Sequence, residues 1–481
     1  DMYAECFILF DECEKLVQDV HYRDSIREPM NDFFRFRDKA LISATPIVPE
    51  KDNRFDGFTR VLIQPDYAYQ QKLKLITTNN VLATLQEVIE AKRGTVCIFC
   101  NSIDSIDSFY RLIPELNNAC TFCSEDGQYK LWKGNRRKKS IMITELERYN
   151  FFTSRFYSAV DIVCKNPPHV ILISDLYGAT QSVIDPATEA IQIIGRFRGG
   201  VNTVTHIASI RPDLECMSAN EIDSWIEGAA SIFNGWKKQL ARTSNIGERT
   251  LLQEAIGENS YLPYLDANGK PDPFLIANLY EKEQVKRLYT SADLLCNAYQ
   301  QTDYFAFSHE ERLMPVSDNE RMAIQHRLAK KKRAQLIVHK LEEMEKMSRA
   351  TDKKLQKRYQ RMLGNLITTT TDRYLYDCFC RFGGDFIRES DYNENKLRTA
   401  LNVSSEHTIK QSGQMKISIQ RTFPIDSELS VQEAKSMLKQ VYKKMGLNTE
   451  RGITTKELEQ YAEVEKGWKH DNRTIKILKF K

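Results

Sequence analysis

The stretch Ala190-Ile-Gln-Ile-Ile-Gly-Arg-Phe-Arg-Gly199 decides how the chain is read. It is an apolar helix that ends in a glycine and two arginines, with Gln192, Gly195 and Arg196 at the spacing Gln-x-x-Gly-Arg. A guanidinium is a planar fork of donors that keeps its charge, so arginines placed this way suit a nucleotide's phosphates as charge develops on them. Arginine-rich helix ends are common on protein surfaces, so the weight of the stretch comes from what precedes it. Upstream, in order, stand Asp11-Glu12 and Ser43-Ala44-Thr45.

Each of these follows a strand pattern. Cys6-Phe-Ile-Leu-Phe10 is a continuous apolar run, as expected of a parallel strand buried on both faces. Acidic residues at the carboxyl end of such a strand sit where open α/β sheets bind ligands. Phosphoryl chemistry wants two carboxylates there, one to position Mg²⁺ on the phosphates and one to orient and deprotonate the attacking water. Residues 40–42 form a second strand running into Ser43-Ala44-Thr45-Pro46. Ser and Thr before Pro also make an ordinary turn, so it is the order of the pieces that carries the signal.

That ordered set resembles the superfamily 2 helicases, the DExD/H-type nucleic-acid motors. The resemblance implies ATP and Mg²⁺ as cofactors, with Asp11 holding the metal through water and Glu12 activating the attacking water. It also implies that Gln192, Arg196 and Arg198 act from the opposite lobe. Ser43, Thr45, Thr153, Asp161 and Gly195 would couple nucleotide to nucleic acid.

Residues 50–80 carry Pro, Asn, Asp and Gly and read as an inter-domain linker, centred on 63–80. Residues 81–91 have helical periodicity. Residues 95–100 are an apolar strand, followed by Asn101-Ser102 and a helix through Ile113. This resembles helicase motif IV, where a second RecA-like domain begins. Further strands are expected at 119–123, 140–144, 169–173 and 203–209. Strands alternating with helices across 81–210 imply a parallel sheet.

Residues 150–162 resemble motif V, with Thr153 and Asp161 in place and Ala159 where the family usually has Gly. Motif VI departs from the commonest form, Gln-x-x-Gly-Arg-x-x-Arg. Position 199 is Gly and the second arginine is Arg198, one place early, as in some branches of the superfamily.

No Gly-x-x-x-x-Gly-Lys-Ser/Thr occurs in the sequence. That loop cradles phosphates with backbone N–H groups, and its lysine reaches the outer phosphates. In the family it lies upstream of the acidic pair. The chain therefore reads as a fragment whose first RecA-like domain lacks its phosphate-loop half, and it is expected to hydrolyse ATP negligibly alone. The expected class is α/β, with RecA-like parallel-sheet domains (the first one truncated) followed by a mostly helical region with a winged-helix-like tail. The expected function is an ATP-dependent helicase or translocase on nucleic acid, DNA favoured. The rivals are a non-catalytic nucleic-acid-binding protein on a degenerate scaffold and a zinc-ribbon adaptor.

Composition bounds these readings. A chain of 481 residues exceeds one core. Its net charge is only +4, so a nucleic-acid surface must come from local asymmetry. No apolar run approaches membrane-spanning length and no signal peptide opens the chain. Eleven cysteines, several in apolar strands, suit a reducing cytoplasm better than a disulfide framework. Cys97-x-x-Cys100 and Cys120-x-x-Cys123 have zinc-ribbon spacing. Their β-forming flanks argue against it, because i and i+3 on a strand face opposite ways. Cys378 and Cys380 read as core packing.

Domain boundaries are expected at 1–62, 63–80, 81–212, 213–315, 316–420 and 421–481. Residues 213–315 read as a helical extension, with Trp225, Phe233 and Trp236 as anchors. Residues 320–363 form a charged helical stretch. Lys330, Lys331, Lys332 and Arg333, with basic residues at 353–361, could track phosphates or could be a solvated face held by opposite charges. From Ser430 a helix ending at Gly446, a shorter helix near Thr454 and a hairpin resemble a winged-helix-like module. Lys469 and Arg473 would then lie at the phosphate-facing wing. Ser102 and Arg155 complete the residues expected to face nucleic acid.

Overall fold

The structure is a computed structural model, and it describes residues 2–132, 138–143, 145–158, 160–266, 268–322, 329–348, 372–447, 449, 452–469 and 472–481. The chain divides into two compact units, Asp1–Met322 and Ala323–Lys481.

The first unit holds two sheets. The smaller is a leaf of two parallel strands, β1 (Phe7–Asp11) and β2 (Asp38–Ile42), with the one-turn helix α1 (Lys15–Gln18) between them. Its side chains alternate. Ile8 and Phe10 turn inward, while Phe7 and Leu9 are 63% and 53% exposed. The expectation of a strand buried on both faces is thus corrected: one face is covered and the other is not. The covered face joins Leu16, Val17, Val20, Met30 and Phe33 in a core completed by Phe274 and Leu275 from far along the chain.

The larger sheet has eight strands. They are β3 (Gln71–Thr78), β4 (Val96–Phe99), β5 (Cys120–Phe122), β6 (Lys138–Ser140), β7 (Tyr149–Phe152), β8 (His169–Ser174), β9 (Thr203–Ser209) and β10 (Phe305–Arg312). Their spatial order is β10-β3-β9-β8-β4-β7-β5-β6, and every pairing is parallel. A parallel sheet needs both faces covered, and the side chains divide with period two to meet that need. Val96 and Ile98 enter one core, and Cys97 and Phe99 the other.

One face is covered by α2 (Val81–Glu90) and α3 (Ile103–Leu112), capped by Asn80 and Ser102 side chains that accept backbone N–H bonds. The opposite face takes Ile193 of α4 (Glu189–Gly195), which carries the arginine stretch. Beyond α5 (Ala219–Arg242), whose Phe233 is buried while Trp225 and Trp236 are partly covered, run α6 (Pro273–Leu288) and α7 (Ala292–Gln300). These two pack on the same core through Tyr289 and Tyr299.

Three sequence expectations change here. Residues 71–78, inside the expected linker, are strand β3 in the sheet interior. Its Gln71-Lys-Leu-Lys-Leu-Ile-Thr-Thr78 alternates only in its first half, which hid it. Residues 305–312, expected to be helical, are edge strand β10, paired in parallel with β3. The expected helical extension is therefore part of the sheet unit. The strand expected at 140–144 lies at 138–140, and Thr144 is outside the described residues.

In the second unit, α8 (Lys330–Ser348) and α9 (Arg373–Glu389) pack together and α10 (Glu394–Lys410) packs on α9. The tail runs α11 (Gly413–Thr422), β11 (Glu428–Ser430), α12 (Val431–Lys444), a 3₁₀ turn Thr455–Gln460, β12 (Ala462–Lys469) and β13 (Asn472–Phe480), with sheet order β11-β13-β12, antiparallel. The helix, short helix and hairpin read from the sequence are all present. Ser430 starts α12 with a capping box, and Leu438, Tyr442, Leu458, Ile475 and Ile477 fill the core.

Candidate nucleotide site between the leaf and the sheet

The acidic pair lies where β1 ends. Asp11 is the last strand residue, and its Oδ1 accepts the Glu12 backbone N–H at 2.9 Å. Glu12 takes φ 54°, a left-handed conformation that a residue with a Cβ rarely adopts. Such strain tends to mark functional turns. Here it ends the strand and turns the next residues back into α1, with Cys13 N donating to Ile42 O at 3.3 Å.

Opposite stands α4. Arg196, 11% exposed, holds Nη2 at 3.6 Å from Glu12 Oε1, and its Nε donates to Gln192 O at 3.0 Å. The two stretches singled out in the sequence therefore face each other across the junction of leaf and sheet. Arg198 does not join them. Its side chain, 69% exposed, donates from Nε to Asp161 Oδ1 at 3.1 Å, so the structure corrects the expectation that both arginines face the acids. The reason is local. Ile162 N donates to Arg196 O at 2.8 Å, which lays the Asp161 segment alongside the arginine helix end.

The closest junction is made by Gln192. Its Nε2 donates to Glu14 Oε1 and to Thr45 Oγ1, each at 2.8 Å, and its Oε1 accepts from Lys15 Nζ at 3.2 Å. Ser43 Oγ donates to Glu14 Oε2 at 2.5 Å and accepts from Thr45 N at 2.9 Å. Glu14, Thr45 and Gln192, which are buried, and the partly exposed Ser43, from three distant segments, thus form one hydrogen-bonded group. Burial pushes the Glu14 carboxyl above the usual carboxylate range, against the Ser43 hydroxyl, which favours its charged form. Sequence reasoning gave Glu14 no role. The available signal was its place two residues after Glu12, followed by Leu16-Val17, which bury the short helix.

A second set lies beside it. Gln18 Nε2 donates to Thr188 Oγ1 at 3.2 Å and to Glu281 Oε1 at 3.1 Å, while Thr188 Oγ1 donates to Asp185 Oδ2 at 2.7 Å. Burial raises Glu281 to about 7 and Glu189 to about 8, and raises Asp185 as well. None of these residues was singled out beforehand.

The remaining expected residues scatter. Thr153 follows β7, is buried, and gives both its N–H and its hydroxyl to Phe122 O at 3.1 and 3.4 Å. Gly195 is in the last turn of α4, and a Cβ there would meet nothing within 4 Å. Ser102 is 4% exposed and caps α3, which corrects its assignment to a nucleic-acid surface. Arg155 is exposed beside Thr153. Ala159 and residues 353–361 lie outside the described residues.

On α8, Lys330 pairs with Glu394, Lys331 with Asp391 at 2.6 Å and Arg333 with Asp372 at 2.6 Å, while Lys332 is exposed. Three of the four basic side chains of that run are thus paired within their own unit, as the charge-paired reading expects. On the hairpin, Lys469 pairs with Glu428 at 3.3 Å, and Arg473 lies over the Trp468 ring at 5.2 Å.

Cys97, Cys100, Cys120 and Cys123 are buried on or just after β4 and β5, which β7 separates in the sheet. Cys378 is buried and Cys380 exposed. Among the described residues no group of three or more His, Cys, Asp or Glu side chains is placed to hold a metal ion, and no helix is long and apolar enough to cross a membrane. Comparison with protein-family models and with curated proteins finds no match.

Proposed function

We propose that the first unit is the nucleotide-responsive core of an ATP-dependent motor of the superfamily 2 helicase type, acting on nucleic acid, with DNA favoured. One observation carries this reading. Glu12, Ser43, Thr45, Gln192 and Arg196, drawn from the three ordered motifs, converge with Glu14 at the carboxyl end of β1 and the end of α4.

The donor set fits the outer end of a Mg²⁺–nucleotide. Asp11 and Glu12 keep accessible carboxylates, and Arg196 offers a fixed guanidinium opposite them. Mg²⁺ binds through one or two carboxylates plus substrate phosphates, so no protein cage is needed. Asp11 would hold the ion through water, and the ion would neutralise phosphate charge. Glu12 would orient the attacking water and take its proton. Arg196 would release Glu12 and meet the charge developing on the transferred phosphoryl group. Gln192 and Glu14 position the two sides. Moving either lobe breaks their bond, and this links nucleotide state to lobe separation. RecA-like architecture in the eight-stranded sheet and a winged-helix-like tail belong to the same reading, with the hairpin's Arg473 and Lys469 as phosphate contacts.

The test is nucleic-acid-stimulated ATP turnover in the full-length gene product. Arg196→Ala should lower kcat by about 10³-fold with the fold intact. Unchanged turnover refutes the assignment. A second reading is a non-catalytic nucleic-acid-binding protein on this scaffold. Salt-dependent DNA binding without any nucleotide effect would support it.

A further inference from the structure

A cavity of about 700 Å³ opens beside the Gln18–Thr188 contact, walled by the leaf segment 47–51, the loop 185–188, α5 and α6. This is the size range of sites for small organic ligands. Ile47, Val48, Ile226, Ile276 and Leu288 supply apolar wall. Four carboxyls line the same space; Glu50 is exposed and Asp223 is held by Lys51, which leaves Asp185 and Glu281. Glu281 accepts from Gln18, and Asp185 accepts from Thr188 and from the Ala187 N–H at 3.2 Å. Among the described residues neither has an ammonium or guanidinium in ion-pair contact. The ammonium at the mouth, on Lys51, is already engaged by Asp223 and by Tyr280 at 2.7 Å.

Both carboxyls are half-buried beside apolar wall, and the cations that act on Glu281, Lys15 and Lys282, do so from beyond ion-pair distance, so their charge is poorly compensated. An anion would be repelled there. A bare metal ion would lack ligands, since no three-residue donor group is present among the described residues. A group that brings one diffuse positive charge and an apolar body satisfies both halves of the lining.

We infer that this cavity is a binding site for a small organic monocation, a protonated amine or guanidine carried on an apolar body. The cavity wall includes the leaf and the sheet unit's helices at once, and Glu281 is already tied to the leaf through Gln18. An occupant therefore bridges the two and favours the closed junction. This does not depend on what the neighbouring Glu12–Arg196 pair does.

The experiment is calorimetric titration of the 481-residue chain, at about pH 8.5 where Glu281 is ionised, with 2-phenylethylammonium and with its near-isostere 2-phenylethanol. The ammonium should bind at least about tenfold more tightly. Glu281→Gln should remove that preference. Ala187→Trp, on the exposed rim, should block both probes without touching the carboxyls, and Asp185→Asn serves where Glu281→Gln lowers the yield of folded protein. Equal binding of ammonium and alcohol, a preference that survives Glu281→Gln, binding undisturbed by Ala187→Trp, or no binding of the ammonium at millimolar concentration each overturns the proposal.

Discussion

The two sheets of the first unit are made of the same kind of apolar strand and are held in opposite ways. In the eight-stranded sheet, Ile98, Ile171 and Ile173 are fully buried and both faces carry helices. In the leaf, β1 has one neighbour, and Phe7 and Leu9 stay in solvent. The large sheet supplies its own order through ladders and two cores. The leaf borrows its order from α6. Phe274 and Leu275 complete its core, Arg27 Nη1 meets Asp272 Oδ2 at 2.7 Å, and Asn278 Nδ2 donates to Val17 O at 2.8 Å. The acids Asp11 and Glu12 are on the borrowed side, and Arg196 is on the self-supporting side. The lesson is that the position of the acids relative to the arginine depends on a few long-range contacts.

The sharpest way to break that contrast is at Asp272, which is 6% exposed, caps α6 by accepting from Phe274 N and Leu275 N, and pairs with Arg27. Asp272→Ala removes the cap and the charge-assisted bond to Arg27. The expected loss is about 2–4 kcal/mol. Hydrogen exchange should show amides of 7–42 losing protection while those of 96–209 keep theirs. Equal loss in both regions would mean that the leaf is not the dependent part.

pH offers a milder probe of the same junction. Burial raises Glu281 to about 7 and Glu189 to about 8, with Asp185 adding negative charge and Lys15 opposing it. Folded-state values above the unfolded ones mean that the native form holds protons the unfolded chain has released. Their stabilisation is complete below the ordinary Glu range and is lost as pH rises through about 7 to 8. His206, pushed down to about 3 by burial among Ser174, Tyr289 and Tyr299, acts in the reverse sense, but only below its ordinary value. From about pH 6.5 to about pH 9 the acids therefore decide, and Tm should fall by several degrees. Glu189→Gln should flatten that slope. A Tm that rises across this window would contradict the buried-acid account.

How much of this was legible follows from the same contrast. Strands β4 and β8 announced themselves because burial on both faces writes a continuous apolar run. β3 and β10 did not, since Lys72, Lys74, Glu310 and Arg312 interrupt their apolar pattern, and Lys74 and Arg312 both meet Glu310. Arg196 and Glu12, which face each other, could be singled out because each belongs to a local motif. Glu14 and Gln18 carry ordinary residue types, and their meaning lies in Gln192, Thr188 and Glu281, more than 160 residues away. Arg198 was misplaced because a one-residue shift in spacing does not say that Asp161 will be beside it. The hairpin tail was readable because Ser430, Gly446 and the 454–457 capping box are local stop and start signals.

The smallest effect is expected on the self-supporting side. Gly195 belongs to the arginine stretch, yet it sits in helical backbone with no neighbour in the way of a Cβ. Glycine in such a position costs backbone entropy, so Gly195→Ala should stabilise the chain by about 0.5 kcal/mol and raise Tm slightly. The thermal melt reads the fold, and ATP turnover of the full-length gene product reads the site. Raised or equal Tm with reduced turnover would mean that glycine is kept for close approach of a ligand to the helix end. Raised Tm with unchanged turnover would leave Arg196 as the residue of that stretch on which the chemistry rests. A loss of more than about 1 kcal/mol would instead show that α4 is under a packing constraint its surroundings do not reveal, and the division into a sturdy lobe and a dependent leaf would fail on its stronger side.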